Sequence, residues 1–319
     1  MPSVLNADRF HNELAALAHV ESILWPSGPV CPHCGSTERL SRLAPQRTKP
    51  SKKHPEGKPV HGLWKCYACS QQFTVRIGTI FESSHAPLHI WLQAIHLMCS
   101  SKKGISTRQL QRTLGVGMKT AWFLGHRIRE AMKPIGSAGS LGGSGKVVEA
   151  DETFLGRSPK TRPRPGRPIA ILSLVERGAA IRSAPLRGEF RSIEILNAMQ
   201  EHVHPDSAVH TDSANYYKTI RMHVADHKKV DHSKKEWVRG DVHTNSLEGF
   251  FSIFKRGLVG VYQIMSDKHL HRYCHEFDFR YSYRVKLGIN DVERAEIALR
   301  GAKGKRLTYR TTHSGEPTA

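Results

Sequence analysis

The sequence has no long hydrophobic run. No stretch of about 18 apolar residues occurs, so we expect no transmembrane helix and no membrane partner. The first twenty residues have no basic stretch followed by a long apolar core, which argues against a secretory signal. We therefore expect a cytoplasmic location, where the six cysteines would be thiols or metal ligands rather than disulfides.

Acidic residues are scarce relative to basic ones. The 319-residue chain has 48 Lys and Arg against 28 Asp and Glu, which gives a formal net charge of +20. An excess of this size favours a polyanionic partner such as nucleic acid, and the alternative is a basic surface that serves only solubility. Hydrophobic residues make up 39% of the chain, which is enough for globular domains with a core.

Four of the cysteines form two Cys-x-x-Cys pairs, Cys31 with Cys34 and Cys66 with Cys69. Two such pairs can place four thiolates around one tetrahedral Zn²⁺, which is the pattern of a zinc ribbon. Because four thiolates fill the coordination shell, this zinc would be structural. The alternative is four unrelated buried cysteines.

Two predicted helices follow the cysteine pairs, separated by a glycine turn at 115–117. The second, over about 118–132, is rich in basic residues. A helix, a tight turn and a basic second helix are typical of a DNA-binding helix-turn-helix, so we predict that Lys119, Arg127 and Arg129 contact DNA. The alternative is a helical hairpin with a solvated basic face.

Two aspartates follow short apolar runs in the second half of the chain. Asp151 follows Val-Val-Glu-Ala, and Asp212 follows Ala-Val-His-Thr. Both runs are predicted strands, so we expect the two carboxylates at or near strand ends, where they could converge on one cation. Glu152 is a neighbouring acid that could be confused with Asp151.

A helix is predicted from residue 245 onward. An apolar stripe indicates its buried side and consists of Leu247, Phe250, Phe251, Phe254 and Leu258. Glu248 and Lys255 lie on the flank of this stripe, about two turns apart on one side. The glutamate could therefore face metal ions while the lysine reaches DNA phosphates.

Asp151, Asp212 and Glu248 together supply hard oxygen ligands, which suit Mg²⁺ or Mn²⁺. Two such ions about 4 Å apart can activate an attacking oxygen and stabilise a leaving one, which is the chemistry of phosphodiester cleavage and transfer. Each carboxylate alone would more often be an ordinary surface or strand-end acid. Their joint spacing with the trailing Lys255 favours a catalytic site.

These motifs resemble those of bacterial insertion-sequence transposases of the DDE class, in the group that carries an N-terminal zinc ribbon. The similarity extends from about Cys31 to Arg284. It is carried by CPHCGS and KCYACSQQFTVRIGTIFESS, then by VEADETFLGR, VHTDSANYY, HTNSLEGFFSIFKRGLVGVY and SDKHLHRYCHEFDFRYSYR. The resemblance implies a ribonuclease-H-like catalytic core. It also implies DNA partners, namely element ends and target DNA, and we expect a homodimer or higher homo-oligomer on DNA.

The resemblance places the acidic triad on Asp151, Asp212 and Glu248, and the trailing basic residue on Lys255. Members of this group can also be read with an asparagine as the third ligand, which here would be Asn245. An amide oxygen can coordinate a metal ion but adds no charge, so Glu248 is the favoured ligand and Asn245 could assist.

The predicted fold class is α+β with several domains. The small-residue stretch at 136–145 is the clearest boundary. Predicted strands, a helix, another strand and further helices follow it. The predicted parts are an N-terminal helix over 1–30, a zinc ribbon over 31–86, a helix-turn-helix-like module over 87–135, a linker over 136–145, a ribonuclease-H-like mixed sheet flanked by helices over 146–290, and a C-terminal helix with a loose tail over 291–319.

Further basic residues are candidates for DNA contact. Arg256 follows Lys255, and Arg280 lies four residues after Glu276 on a predicted helix. Glu276 and Arg280 can form an ion pair. The resemblance implies that this pair braces the core or contacts DNA, and the alternative is a plain surface pair. The stretch 156–168 contains Lys and Arg but no acid, which suits a loop over phosphates.

Two other functions compete with transposition. A DNA-binding regulator built from a zinc ribbon and a helix-turn-helix would not need the three carboxylates. A ribonuclease-H-like nuclease that cuts without joining would need them, and the triad alone does not separate it from a transposase. Modules for recognising a specific DNA end favour the transposase.

Overall fold

A computed structural model describes residues 3–52, 55–134, 139–155, 169–186, 192–263 and 265–307. The chain divides into two compact units. Unit 1 is Met1–Met98, Thr107–Ala131 and Ala295–Ala319, and unit 2 is Cys99–Ser106 and Met132–Arg294. The predicted basic loop at 156–168 and the tail from 308 onward lie outside the described residues. Among the described residues, no helix is both long and apolar enough to cross a membrane.

Unit 1 begins with two short 3-10 helices, Val4–Asn6 and Asp8–Phe10, and helix α1, Glu13–Leu24. Its strands are β1 (Leu40–Arg42), β2 (Gln46–Arg47), β3 (Pro59–Val60), β4 (Trp64–Cys66) and β5 (Gln72–Phe73). β1, β4 and β5 form an antiparallel sheet, and β2 pairs separately with β3. The long insertion between the two cysteine pairs thus contains a strand pair of its own.

Three more helices follow, α2 (Leu88–Ser100), α3 (Thr107–Leu114) and α4 (Met118–Met132). The two helices predicted around the glycine turn are confirmed as α3 and α4. Gly115 adopts a positive φ of 64°, a conformation that favours glycine and ends α3. The two helices and the turn of the predicted helix-turn-helix are therefore present. Their presence alone does not test whether the module contacts DNA.

Unit 2 contains a five-stranded mixed sheet. Its strands are β6 (Val147–Leu155), β7 (Ile169–Glu176), β8 (Ile181–Leu186), β9 (Ala208–Asp212) and β10 (Asp226–Val230). The strand order is β10-β9-β6-β7-β8, in which β6, β7 and β8 are antiparallel while β9 and β10 run parallel to β6. This arrangement confirms the predicted mixed sheet.

Helices flank this sheet. They are α5 (Ser192–His202), α6 (Asn245–Gly257) and α7 (Leu270–Ser282), followed by α8 (Asp291–Arg300), which begins in unit 2. Shorter turns are the 3-10 helices Asn215–Met222, His232–Lys234, Asp267–His269 and Val285–Leu287, and a π-helix, Leu258–Tyr262, that continues α6. The predicted apolar stripe of α6 is buried, as expected for a helix that packs on a sheet.

The two faces of the sheet bury separate apolar clusters. Val148 and Ala150 of β6 pack in a cluster with Ile195 of α5. The other face carries the cluster of α6 and α7, which includes Phe254. Because side chains alternate along a strand, Asp151 and the residues two before and two after it share the α6 face. Leu141, which lies in the predicted linker, is buried in the α5 cluster.

The expectation that Asp151 lies at or near the end of the first strand is wrong. β6 continues to Leu155, and Asp151 pairs with Ser173 of β7 in the middle of an antiparallel ladder. Only the parallel pairing with β9 ends earlier, at Glu149 opposite His210. The strand continues because β7 supplies hydrogen-bond partners beyond that point, and the local sequence around Asp151 does not reveal this pairing.

Candidate active site and cysteine cluster

The register of two parallel strands brings Asp151 and Asp212 together. Val147 pairs with Ala208 and Glu149 with His210. Continuing the same register by two residues sets Asp151 beside Asp212, the last residue of β9. Because the register advances equally on both strands, the two carboxylates project from the same face of the sheet, which is the face covered by α6.

The third predicted carboxylate also affects the charge of Asp151. Burial is the main cause that raises the pKa of Asp151 to about 7, and the negative charges of Glu152, Asp212 and Glu248 add to it. Asp212 and Glu248 therefore lie close enough to Asp151 to disfavour its charge. Carboxylate oxygens are ligands that suit Mg²⁺ or Mn²⁺, and a bound cation would offset the repulsion between these negative charges.

Backbone groups help to orient the two aspartates. Asp151 Oδ1 accepts a hydrogen bond from the N–H of Glu152 at 2.8 Å. Asp212 Oδ1 accepts one from the N–H of Ala214 at 3.0 Å. Each aspartate is thus oriented by one backbone N–H, which donates to its Oδ1 atom.

Glu152 is distinct from Asp151, because it lies on the opposite face of β6. Its carboxylate accepts hydrogen bonds from the hydroxyls of Tyr216 and Tyr217, the latter at 2.7 Å. Burial raises the pKa of Glu152, while the two tyrosine hydroxyls oppose that shift. The tyrosines were not predicted as site residues, although they follow Asp212 by only a few positions and could have been found there.

Helix α6 is anchored at its first turn by a buried carboxylate from the sheet. Glu149, which has no exposed surface, accepts hydrogen bonds from the backbone N–H of Ser246 at 2.9 Å and from Ser246 Oγ at 3.0 Å. Arg177 Nε donates to the same carboxylate at 2.7 Å. A negative charge at a helix N-terminus is favourable because the N–H groups there carry partial positive charge.

Glu149 was missed by the sequence analysis. The available signal was a charged residue inside an apolar strand, two positions before Asp151 and therefore on the same face. A buried charge needs hydrogen-bond or ionic partners. The position of Glu149 therefore predicted that such partners exist, but it did not show which residues they are.

The exposed side of α6 presents the remaining predicted residues. Asn245, Glu248, Lys255 and Arg256 are all exposed there. Asn245 and Glu248 are three residues apart, which is close to one turn, so they lie on nearly the same side. Glu248 is the one with an electrostatic effect on Asp151.

Three of the six predicted DNA-binding residues are buried, which contradicts that prediction for them. The exposed fractions are 7% for Arg127, 3% for Arg129 and 8% for Arg280. Residues 124–129 of α4 are all buried, so this part of the helix has no solvated basic face. Lys119, Lys255 and Arg256 are exposed and remain candidates for DNA contact.

The buried arginines have structural partners. Arg127 Nη1 donates hydrogen bonds to the carbonyl oxygens of Ile80 at 2.9 Å and Glu82 at 2.7 Å. Arg280 forms the predicted ion pair with Glu276, and both side chains are buried. Of the two roles considered for that pair, the structure favours bracing the core, because a guanidinium enclosed in this way does not reach a phosphate.

The four paired cysteines form a compact cluster. Their Sγ atoms all lie within 4.8 Å of one another, and in the described part of the chain no other group of three or more candidate ligands is as close. Cys31 and Cys69 are 3.6 Å apart, and Cys34 and Cys66 are 3.7 Å apart. A tetrahedral Zn²⁺ with Zn–S bonds of about 2.3 Å would hold its sulfurs about 3.8 Å apart, so the cluster fits this ion.

Comparisons with known proteins cover both sites. Residues 141–282 match the ISXO2-like transposase domain, and residues 11–72 match the transposase zinc-ribbon domain. Asp151, Asp212 and Glu248 fall within the first match, and the cysteine cluster falls within the second. The zinc-ribbon match and the cluster together indicate a structural zinc site.

One relative and one solved structure are also similar to the chain. The relative is the uncharacterized protein in transposable element ISH50 of Halobacterium salinarum, 25% identical over 292 residues that cover 85% of this chain and 91% of the relative. The structure is a chain in the crystal structure of the Mos1 strand transfer complex, with 9% identity and a TM-score of 0.28 over 66% of this chain and 78% of that chain.

Proposed function

We propose that the chain is an insertion-sequence transposase with an N-terminal zinc ribbon, which cuts DNA at the ends of its element and joins those ends to target DNA by metal-dependent phosphodiester chemistry. The observation that carries the chemical part is the parallel register of β6 and β9, which sets Asp151 beside Asp212 on the sheet face covered by α6, the helix that carries Glu248. We expect the protein to act as a homodimer or higher homo-oligomer, since two ends must be joined to one target.

Asp151, Asp212 and Glu248 would hold a pair of Mg²⁺ or Mn²⁺ ions, with Asn245 as an assisting or alternative ligand. When bound, such a pair activates an attacking oxygen and stabilises a leaving one. The sheet supplies two ligands from strands whose register is held by backbone hydrogen bonds, and α6 supplies the third. Lys255 would position a DNA phosphate as a point charge, two turns along the same helix.

The reaction would have two displacements. Water first attacks the phosphodiester at an element end, which breaks the P–O bond and frees a 3′ hydroxyl. That hydroxyl then attacks a target phosphodiester, forms the new P–O bond and displaces the target's own 3′ oxygen. In the first step the water oxygen replaces the 3′ oxygen on phosphorus and leaves a 5′ phosphate, and in the second step the 3′ hydroxyl oxygen of the element end replaces the 3′ oxygen of the target. Both steps are displacements at phosphorus, so the same carboxylates would serve both.

Recognition of the element ends would fall to the zinc ribbon and the helical module. We propose that Cys31, Cys34, Cys66 and Cys69 hold one structural Zn²⁺ that orders the three-stranded sheet around them. Lys119, exposed at the start of α4, would contact DNA phosphates there. The excess of basic residues supports binding that weakens as salt concentration rises.

The test is an assay of end cleavage and strand transfer with labelled element-end DNA and Mg²⁺ or Mn²⁺. We expect Asp151→Ala and Asp212→Ala to lose both reactions while end binding persists. Glu201→Ala, which removes an exposed acid on α5, is the matched control and should keep both reactions. Normal activity of either aspartate variant would refute the mechanism.

A pre-cut element end with a free 3′ hydroxyl separates a transposase from a nuclease. Joining of that end to a target plasmid is expected here. Cutting without any joining would instead support the ribonuclease-H-like nuclease, because both enzymes need the same carboxylates but only one uses DNA as the nucleophile.

A further inference from the structure

A cleft of about 580 Å³ lies beside Asp212 in unit 2. One wall is the 3-10 helix Asn215–Met222, which follows β9, and the other is the edge strand β10. The lining residues are Asp212, Ala214, Lys218, Arg221, Ala225, Asp226, His227 and Lys229. We call this space the Asp212 cleft.

The helical wall presents two cations on one face. Lys218 and Arg221 are three residues apart in a 3-10 helix, where side chains at that spacing eclipse one another. Both are exposed, whereas Tyr217 and Ile220 on the other side of the helix are buried in the α5 cluster. The buried pair turns the other sides of the helix away from the core, and both cations line the cleft.

The strand wall presents a third cation. His227 and Lys229 are two residues apart on β10 and share the face of their partners Val209 and Thr211, which is opposite to the α6 face. Asp212, the last residue of β9, borders the cleft from the end of its strand. His227 Nε2 lies 2.9 Å from Thr211 Oγ1, so a side-chain hydrogen bond links β10 to β9 on this face. Burial lowers the pKa of His227, and the positive charges of Lys229 and Arg221 lower it further. Cations from both walls thus converge on the same space.

The acids of the cleft do not cancel this charge. Asp226 is paired with Lys228, whose Nζ lies 3.5 Å from its carboxylate. Asp212 belongs to the carboxylate site. Lys218, Arg221 and Lys229 therefore leave a local excess of positive charge next to a proposed metal ligand, which is the electrostatic pattern that attracts phosphates.

We propose that the Asp212 cleft binds the phosphodiester backbone of a DNA strand and guides it to the carboxylate site, with phosphates contacted by Lys218, Arg221 and Lys229. The backbone is the favoured ligand because the lining contains cations but no Phe, Tyr or Trp on which a base could stack. The inference rests on the proposed function. The strand could belong to the element end or to the target, which present the same chemistry.

The first test measures binding alone, with full-length protein, single-stranded DNA and no divalent metal. The variant is Lys218→Ala, Arg221→Ala, Lys229→Ala, and the charge-matched control is Lys102→Ala, Lys268→Ala, Lys286→Ala, three exposed lysines of the same unit. Three lost phosphate contacts should reduce the slope of log K against log salt concentration by about 2. The control should keep the slope of the unmodified protein.

The second test finds which strand occupies the cleft. If it holds the element end, the triple variant should lose both end cleavage and strand transfer. If it holds the target, end cleavage should persist and only transfer of a pre-cut end should fall. Equal thermal unfolding midpoints for the variant and control exclude a folding defect, and a charge-preserving Lys218→Arg, Lys229→Arg variant should retain the slope.

An unchanged salt slope, or a reduced slope with both reactions at the control level, would overturn the proposal. The binding test needs no metal and no catalysis. Failure of the unmodified protein to cut or join DNA would therefore contradict the proposed function without being mistaken for failure of the cleft.

Discussion

Glu149 on β6 accepts a hydrogen bond from the backbone N–H of Ser246 on α6 at 2.9 Å. Asp151 lies two residues further along that strand, and Glu248 lies two residues further along that helix. This one contact therefore fixes the strand and the helix that carry two of the three proposed metal ligands. Arg177 reinforces it, because the same guanidinium also donates to the carbonyl oxygen of His243 at 2.9 Å, just before the helix.

Replacing Glu149 should destabilise the fold. In Glu149→Ala the guanidinium of Arg177 loses its ionic partner and the first N–H groups of α6 lose their acceptor. We expect the free energy of unfolding to fall by about 3 kcal/mol, as measured by urea denaturation. The control Glu201→Ala should stay within about 0.5 kcal/mol of the unmodified protein. Equal stability of the two variants would show that the buried carboxylate does not anchor α6.

Purified protein should contain about one zinc per chain, because the four Sγ atoms fit a single tetrahedral ion. The double variant Cys66→Ser, Cys69→Ser removes half of the ligands and should lose the metal, as measured by elemental analysis. Cys99→Ala, which changes a cysteine outside the cluster, should keep it. Full zinc content in the double variant would show that the cluster is not the zinc-binding site.

Arg127 and Lys119 should behave differently although both lie on α4. Arg127→Ala breaks two hydrogen bonds to carbonyl oxygens and opens a buried space, so it should lower the free energy of unfolding by about 3 kcal/mol. Lys119→Ala should change stability by less than about 0.5 kcal/mol and weaken DNA binding instead. Thermal unfolding and a DNA-binding titration of both variants check this. Weaker DNA binding without a loss of stability in Arg127→Ala would instead support a role of Arg127 in DNA contact.

The third metal ligand can be identified by comparing two neighbouring substitutions on α6. Glu248→Ala should reduce strand transfer on the order of 10³-fold or more, because a charged ligand is removed. Asn245→Ala should have a smaller effect, since an amide contributes no charge. A strand-transfer assay at saturating Mg²⁺ measures both. A larger loss for Asn245→Ala would make the asparagine the third ligand.

Local signals in the sequence were sufficient for several elements. The cysteine quartet was predicted from its spacing, because a Cys-x-x-Cys turn brings two thiols to one ion without help from distant residues. The strands of unit 2 were predicted from short apolar runs and helix α6 from an apolar stripe at helical spacing, which reflect the parts of each element that are buried. The match of Asp151, Asp212 and Glu248 to their motifs also depends only on the residues next to each of them in the sequence.

The burial of Arg127, Arg129 and Arg280 could not be predicted in this way. A basic residue on a helix is usually solvated, and its burial depends on carbonyl and carboxylate partners that lie far away in the sequence. Arg127 receives its partners from residues 80 and 82. The sequence of α4 contains no pattern that predicts these partners.

The sequence by itself determined the order of the modules, the cysteine ligands, and the residue types available for metal and phosphate. These follow from composition, spacing and periodicity, which act over a few residues. Tertiary structure alone decided that Asp151 lies within a strand, that Glu149 anchors α6, and that Lys218, Arg221 and Lys229 line one cleft. Each of these depends on the pairing register and on packing between segments distant in sequence, because those contacts determine which side chains meet.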